Sequence, residues 1–592
     1  MSGPCVTAIL KHSNTQTLKH SNTQMNSDSD SAAASSKTLR SNFEPGSTRW
    51  AVRRAQWIAM GIPESDFLKP KIAVINSSSA LSICYAHLDD CCKTVSKAIR
   101  DAGGLAFEVR TVAPSDFITS AGKKARYLMP TRDLLVNDVE VMVEGSELDG
   151  MLFLASCDKT TPAHLMAAAR LNLPSIVVPC GYQLGGICGG RAVDIEEVYK
   201  AVGTVKTGKM TVEELADWTR CAIKGPGVCA GLATANSMHC LTEALGMALP
   251  GTTPIRAGSE RLNEVLVLAG KQILKLVEDD ICPRQILTRE AIANAVRIAI
   301  VIGCSVNTVR HLAAIAFEAG LGLDVVELFE KECASLPQLT KIRPNGPDRI
   351  EQFDAAGGTR AVQERMRTRL NLDVLTVTGC TLQEVLATPV TIDPKVIATL
   401  DQPMRHEPGL IILRGNVAPD GAIVKLSAVP GAHRVFEGSA RIFEDEDLAI
   451  EALGNHMIQP GDVVILRMMG PVGGPGTVFA CSFMAALAGA GLDDKVSVVT
   501  DGELSGLNKG ITIGQVMPEA ACGGPLAVVR EGERLVIDLN RRTIELQVDA
   551  EDLAKRVAEW KAPKRDLPLS WLRIYGENVS ALHDGAVLGG RK

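Results

Sequence analysis

What this 592-residue chain lacks narrows its class before any motif is read. It has no uninterrupted apolar run of transmembrane length and no secretory signal pattern, so neither a membrane span nor export is expected. It has no surplus of one charge. Its 62 basic residues nearly balance 68 acidic ones, and a formal charge of -6 gives no reason to expect nucleic acid or an anionic membrane as partner. Its 16 cysteines lack the density of a small disulfide scaffold, which reads as reduced thiols with some reserved for metal. Arginine is missing before Arg40, and no apolar helical face is visible there, which argues against an organellar transit peptide. A cytoplasmic location is therefore expected, with a mitochondrial one as the alternative. Residues 10–16 recur verbatim as residues 18–24, but two copies of a polar heptapeptide bury no core. Residues 1–38 are expected to be disordered.

What is present is ordinary for a soluble globular protein: 46% apolar and 22% charged residues, in a chain long enough for two or more domains. The sequence organises around Ser156-Cys157-Asp158-Lys159-Thr160-Thr161-Pro162-Ala163. Residues 150–155 before it read as a buried strand. Residues 164–171 after it read as a helix with Pro162 near its start, and residues 175–178 as a second buried strand. Such a βαβ unit carries Cys157, Asp158 and Lys159 at the carboxyl end of a strand, where open α/β sheets bind ligands. A thiol, a carboxylate and an amine in a row offer a soft-metal ligand, a hard-metal ligand and a group that burial can neutralise. The same residues also suit a plain helix turn with a buried cysteine and a surface lysine, and spacing alone leaves both readings open.

Two more cysteine loops follow the same grammar. Residues 71–75 read as a strand opening into a loop with Cys84, while Cys91 and Cys92 on the next helix read as packing residues. Residues 226–238, rich in small side chains, carry Cys229 ahead of a helix that stops at Pro250. A helix is predicted over 49–60, a strand over 106–112 leading to Ser115-Asp116-Phe117, a helix over 131–144, and mostly helix up to Phe329. From about Pro389 the pattern changes to short apolar strands and Gly/Pro turns, with strands predicted at 410–413, 463–466, 496–499, 526–529, 535–539 and 544–548. The expected organisation is an α/β domain with a largely parallel sheet over 39–388 and a β-rich, barrel-like domain over 389–592. Two loops of the second are glycine-rich, at 470–476 and 501–506.

Five ordered motifs carry a resemblance over residues 39–587 to the dihydroxy-acid dehydratase family, which includes sugar-acid and 6-phosphogluconate dehydratases. They are Cys-Asp-Lys-x-x-Pro at Cys157, Gly-x-Cys-x-Gly-x-x-Thr-Ala-Asn-Ser-Met ending at Met238, and Leu413-Arg414-Gly415-Asn416-Val417-Ala418-Pro419-Asp420-Gly421-Ala422. The others are Gly473-Gly474-Pro475-Gly476 and Thr500-Asp501-Gly502-x-x-Ser505-Gly506. The resemblance implies an iron–sulfur cluster on Cys84, Cys157 and Cys229, with [2Fe–2S] favoured over [4Fe–4S]. It implies Mg²⁺ on Asp116, Asp158 and a carbamylated Lys159, and Ser505 as the proton-abstracting base. The implied reaction turns a small 2,3-dihydroxy carboxylic acid into a 2-keto acid, in a homodimer or homotetramer.

Three departures accompany the resemblance. Thr477-Val478-Phe479 stands where the family reads Met-Pro-Glu, whose glutamate ligates Mg²⁺. Met468-Met469-Gly470-Pro471 replaces Tyr-Glu-Gly-Pro, and Glu503 replaces an arginine. Phenylalanine cannot ligate a metal ion, so either Glu503 or water is expected to substitute, or the hard-metal site is weakened. The alternative reading is a non-catalytic paralogue that binds or regulates. The three cysteines, Lys159 and Ser505 argue against it, since a scaffold needs none of them.

Overall fold

The computed structural model describes residues 38–115, 118, 126–206, 208–429, 434–474, 476–477, 480–504, 510–563 and 568–590. All but the last residue of the expected N-terminal disorder lies outside that set.

Four parallel strands form the first sheet in the order β2-β1-β3-β4: β1 (Lys71–Asn76), β2 (Leu105–Arg110), β3 (Gly150–Ala155) and β4 (Ser175–Pro179). Strands β1, β3 and β4 are buried along their whole length, whereas the edge strand β2 is mostly half-exposed or exposed. That is why these three strands read as continuous apolar runs: helices cover a parallel sheet on both faces. Helix Glu260–Glu278 packs on β3, β4 and helix Leu88–Asp101, and helix Thr160–Leu171 packs on helix Leu128–Ser146. Thr160–Leu171 is buried from Thr160 to Ala169 and stops at Asn172, whose left-handed backbone (φ 51°) ends it ahead of Pro174. It therefore begins slightly earlier than the sequence suggests. The predicted helix over 131–144 likewise runs from Leu128 to Ser146.

Strands β5 (Gly186–Cys188) and β6 (Arg191–Val193) form a separate antiparallel hairpin. Eight more strands form the second sheet, in the order β14-β13-β9-β10-β11-β12-β8-β7. They are β7 (Ile411–Leu413), β8 (Gly421–Val424), β9 (Val435–Phe443), β10 (Asp462–Leu466), β11 (Ser497–Thr500), β12 (Thr512–Met517), β13 (Arg534–Asp538) and β14 (Thr543–Leu546). Strands β9 to β12 are parallel and the outer pairs antiparallel. The sheet nearly closes on itself. Arg414 N donates to Arg542 O at 3.0 Å and Ile544 N to Arg414 O at 2.9 Å, joining the end of β7 to β14.

Side chains on these strands alternate between two cores. Val463, Ile465 and Val499 fill the barrel interior, while Val464, Leu466 and Val498 join the core of the first sheet and its helices. Each fully buried Val or Leu is worth about 1.5–3 kcal/mol, so the outward row fixes the barrel against the first half of the chain. The C-terminal residues return there too. Arg132 donates to the carbonyls of Gly585 (3.1 Å) and Ala586 (2.7 Å), and Leu588 N donates to Asp133 at 3.0 Å.

One predicted strand is corrected. Residues 526–529 belong to a 3₁₀ turn, Pro525–Val528, and its flank. Pro525 after Gly523 and Gly524 favours a turn, and Leu526, Ala527 and Val529 reach the barrel core without joining a ladder.

Candidate functional site

Both Cys84 and Cys157 stand at the carboxyl ends of neighbouring strands, β1 and β3. Cys84 lies in a single 3₁₀ turn, Ile83–Tyr85, whose cap is the Ser82 hydroxyl accepting from Cys84 N at 3.3 Å. Cys157 precedes helix Thr160–Leu171, and Thr160 Oγ1 donates back to its carbonyl at 2.7 Å. Both thiols are buried, and Cys229 is part-exposed.

Hydrogen bonds between the three loops join them. Ser156 Oγ donates to Cys84 O at 2.6 Å, and Gly227 N donates to Ile83 O at 3.4 Å. Asn236 Nδ2 donates to the carbonyls of Cys229 (2.7 Å) and Gly231 (2.8 Å), holding the third loop on the start of helix Thr234–Ala244. The same helix carries His239, whose Nε2 contacts Ser156 O at 2.8 Å; burial lowers this imidazole to about 4, so it is neutral and donates. The structure thus brings the loops of Cys84, Cys157 and Cys229 together, as the motifs suggest.

Next to them is a buried ionic cluster. Lys159 is fully buried, with Nζ 3.2 Å from Asp158 Oδ2 and 3.3 Å from Glu503 Oε2. Glu503 is also fully buried and is in direct ion-pair contact with Arg310. His311 lies beyond, with Nε2 3.5 Å from Lys159 Nζ and Nδ1 3.4 Å from Arg132 Nη1. Burial and the three cations Lys159, Arg132 and Arg310 push His311 well below the usual imidazole range, so it carries no charge. Burial and Arg132 lower the Arg310 guanidinium to about 9, which leaves it a cation at neutral pH. Its Nε and Nη1 have no acceptor among the described residues, an arrangement that is costly for a buried charge.

Two acids brace the glycine-rich loops. Asp501 accepts from Met469 N and Ala520 N, both at 2.8 Å, and burial raises it to about 6. Glu519 accepts from Val472 N and Gly473 N, and burial raises it to about 7. A Cβ at Gly470 would lie 2.2 Å from Glu519 Oε2, so only glycine lets the backbone approach that closely. A surface cleft of 430 Å³ lined by Phe317, Val472, Cys522, Val579, Ser580 and Asp584 contains none of the ionic groups.

Asp116, Phe479 and Ser505 lie outside the described residues. Among the described residues, no group of three or more His, Cys, Asp or Glu side chains is arranged to hold a metal ion. No described helix is long and apolar enough to cross a membrane. Sequence reasoning missed Arg132, Asp133, Arg310 and His311. The signal for the last two was a charged residue and an imidazole inside an otherwise apolar helical run, Asn307–Glu318.

The chain matches the dihydroxy-acid/6-phosphogluconate dehydratase N-terminal family over residues 69–385 and the corresponding C-terminal family over residues 395–586. It is 40% identical to a dihydroxy-acid dehydratase of Acetivibrio thermocellus over 552 residues, which are 93% of this chain and 100% of that protein. Against those of Dehalococcoides mccartyi and Methanococcoides burtonii it is 40% and 38% identical, over 91% and 92% of this chain and 97% and 99% of theirs. The chain belongs to the dihydroxy-acid/6-phosphogluconate dehydratase family. It is an enzyme of the hydro-lyase class.

Proposed function

We propose that the enzyme removes water from a 2,3-dihydroxy carboxylic acid to give a 2-keto acid, as a cytoplasmic homodimer or larger assembly. In this reading Cys84, Cys157 and Cys229 hold an iron–sulfur cluster, [2Fe–2S] rather than [4Fe–4S]. Asp116, Asp158 and a carbamylated Lys159 hold Mg²⁺. The observation that carries it is the meeting of three cysteine loops beside Asp158, Lys159 and Glu503 at the carboxyl edge of the first sheet.

The chemistry of the donor atoms supports both groups. Cysteine thiolates suit iron, and two of the three loops are joined by a 2.6 Å hydrogen bond. Asp158 and Glu503 both reach the Lys159 amine, so a carbamate there would sit between carboxylates, an arrangement that calls for a divalent cation. When bound, the two groups supply Lewis acidity at the departing C3 hydroxyl and positive charge at the carboxylate and C2 hydroxyl.

The chain's own residues do the rest. Ser505 takes the C2 proton, Arg310 offers its unpartnered N–H groups to the substrate carboxylate, and Glu503 stays ionised between two cations. Loss of the C2 proton and the C3 hydroxyl leaves an enol, which tautomerises to the 2-keto acid. An anaerobic screen of 2,3-dihydroxy acids and aldonates for 2-keto acid release tests the reaction. No release from any of them would overturn it.

Two expected outcomes belong to this reading. Ser505→Ala is expected to lose turnover by at least about 10²-fold while keeping the visible spectrum of the wild type. Exchange of the substrate C2 proton with solvent isolates the step, and wild-type exchange in the variant would move the base elsewhere. Phe479→Glu restores the family's acidic ligand. It is expected to tighten Mg²⁺ binding by calorimetry and to shift preference from branched or aryl-bearing acids towards polar ones, because buried hydroxyls against a phenyl ring go unpaired. Unchanged Mg²⁺ affinity would show that Phe479 does not border the ion.

A further inference from the structure

We propose that Cys188 and Cys221 form a reversible disulfide that clasps the short ladder of two backbone bridges, Leu184–Lys224 (antiparallel) and Tyr182–Val228 (parallel), holding the Cys229 loop. Cys188 ends the first strand of a small hairpin, Gly186–Cys188 paired with Arg191–Val193, and Cys221 ends helix Val212–Cys221. Cys188 Sγ donates to Asp217 O at 3.6 Å, one helical turn before Cys221, and the neighbouring Cys221 thiol raises the Cys188 thiol above its usual range. Both are part-exposed, unlike the buried Cys91, Cys92, Cys180, Cys240, Cys304 and Cys333, so a small oxidant can reach them.

Backbone pairing brings them together. Leu184 and Lys224 are antiparallel partners, with Lys224 N donating to Leu184 O at 2.9 Å. Beyond that bridge the strand Gly186–Cys188 runs against the last turn of helix Val212–Cys221. The segments stay in contact along the way: a Cβ on Gly186 would lie 2.0 Å from the Cys221 carbonyl oxygen. Arg191 stacks over the Trp218 ring at 4.7 Å and seats the hairpin on the helix. The hairpin strand that ends in Cys188 and the helix turn that ends in Cys221 are thus packed against each other next to the Leu184–Lys224 bridge.

Followed inward, the same segments reach the candidate site. Gln183 N donates to Val228 O at 2.8 Å and Val228 N to Gly181 O at 3.0 Å, and Val228 is the neighbour of Cys229. A cross-link at the outer end would restrict opening of the ladder that positions the Cys229 loop. The chemistry is a peroxide oxidation. One thiol takes an oxygen atom from hydrogen peroxide, giving a sulfenic acid and water. The second sulfur then displaces hydroxide, which leaves as water with the second thiol's proton, and the S–S bond forms. Two electrons leave the pair for the peroxide, and a dithiol returns them.

The test uses the full-length protein, purified anaerobically, treated with hydrogen peroxide, alkylated after denaturation and peptide-mapped. The expected result is a Cys188–Cys221 cross-linked peptide that dithiothreitol removes and that is missing from Cys188→Ser. Hydrogen exchange at residues 182–184 and 224–228 is expected to slow by about tenfold in the oxidised protein and not in oxidised Cys188→Ser. The proposal is overturned if Cys188 and Cys221 both remain alkylatable after peroxide, or if either pairs with another cysteine instead. It is also overturned if the cross-link forms and exchange in the ladder is unchanged.

Discussion

Cys157→Ser protein purified without oxygen is expected to be colourless and inactive, while wild type is brown. Cys84→Ser and Cys229→Ser should behave alike, because each removes one thiol from the loops that Ser156 and Gly227 join. A serine hydroxyl is a poor ligand for iron, and removing any one of three thiolates leaves the cluster under-coordinated. The change is nearly isosteric, so far-ultraviolet circular dichroism should stay that of the wild type and separate cluster loss from misfolding. Cys180→Ser and Cys240→Ser are the controls. Both thiols are fully buried and pushed well above the usual thiol range by desolvation, the state of an inert packing residue. Iron content and visible absorbance decide the matter. Brown, iron-replete Cys157→Ser protein, or colourless wild type after anaerobic reconstitution, would remove the cluster from these cysteines.

The Cys84 and Cys157 loops were legible in the sequence because each follows an apolar run and precedes a helix, an order that points to a strand's carboxyl end, and the Cys229 loop by its small residues ahead of a helix. The parallel sheet was legible for the same reason, since strands buried on both faces keep a continuous apolar signal. Residues 526–529 gave that same signal and are a turn, because an apolar run reports burial and not hydrogen bonding. Gly524-Pro525 was the cue. Asp501 belongs to a family motif, and its contacts show a brace: both oxygens accept backbone N–H groups that join two glycine-rich loops. The ionic cluster was least legible. Lys159, Arg310 and Glu503 come from three distant parts of the chain, and no local pattern encodes a pairing that only the barrel's docking creates. Glu503 departs visibly from the family motif, whereas no motif in the sequence points to Arg310, the cation in direct contact with it in a dry interior.

That pairing makes Glu503→Gln the most telling change outside the cysteines. In the metal-free protein Glu503 neutralises two buried cations at once, Lys159 at 3.3 Å and Arg310 in direct contact, and all three side chains are out of water. A glutamine in its place would keep the shape and remove the charge, leaving Lys159 with Asp158 alone and Arg310 without its ion-pair partner. Breaking a buried ion pair from one side costs about 3–5 kcal/mol, because the surviving charge stays desolvated. EDTA-treated Glu503→Gln is therefore expected to unfold at clearly lower denaturant concentration than EDTA-treated wild type. Removing both partners should cost less. Arg310→Leu combined with Glu503→Gln is expected to recover part of the loss, since a buried polar pair replaced on both sides leaves no orphan charge. The same comparison sorts the two roles open to Glu503. If it serves only as a substitute ligand for the missing family glutamate, the metal-free proteins will have equal stability and only Mg²⁺ affinity will fall. If it is the counter-ion of the cluster, stability falls without metal, and the double variant is more stable than Glu503→Gln alone. The geometry predicts the second outcome, with weakened Mg²⁺ binding in addition, because the carboxylate that holds Arg310 also faces the amine at the strand end.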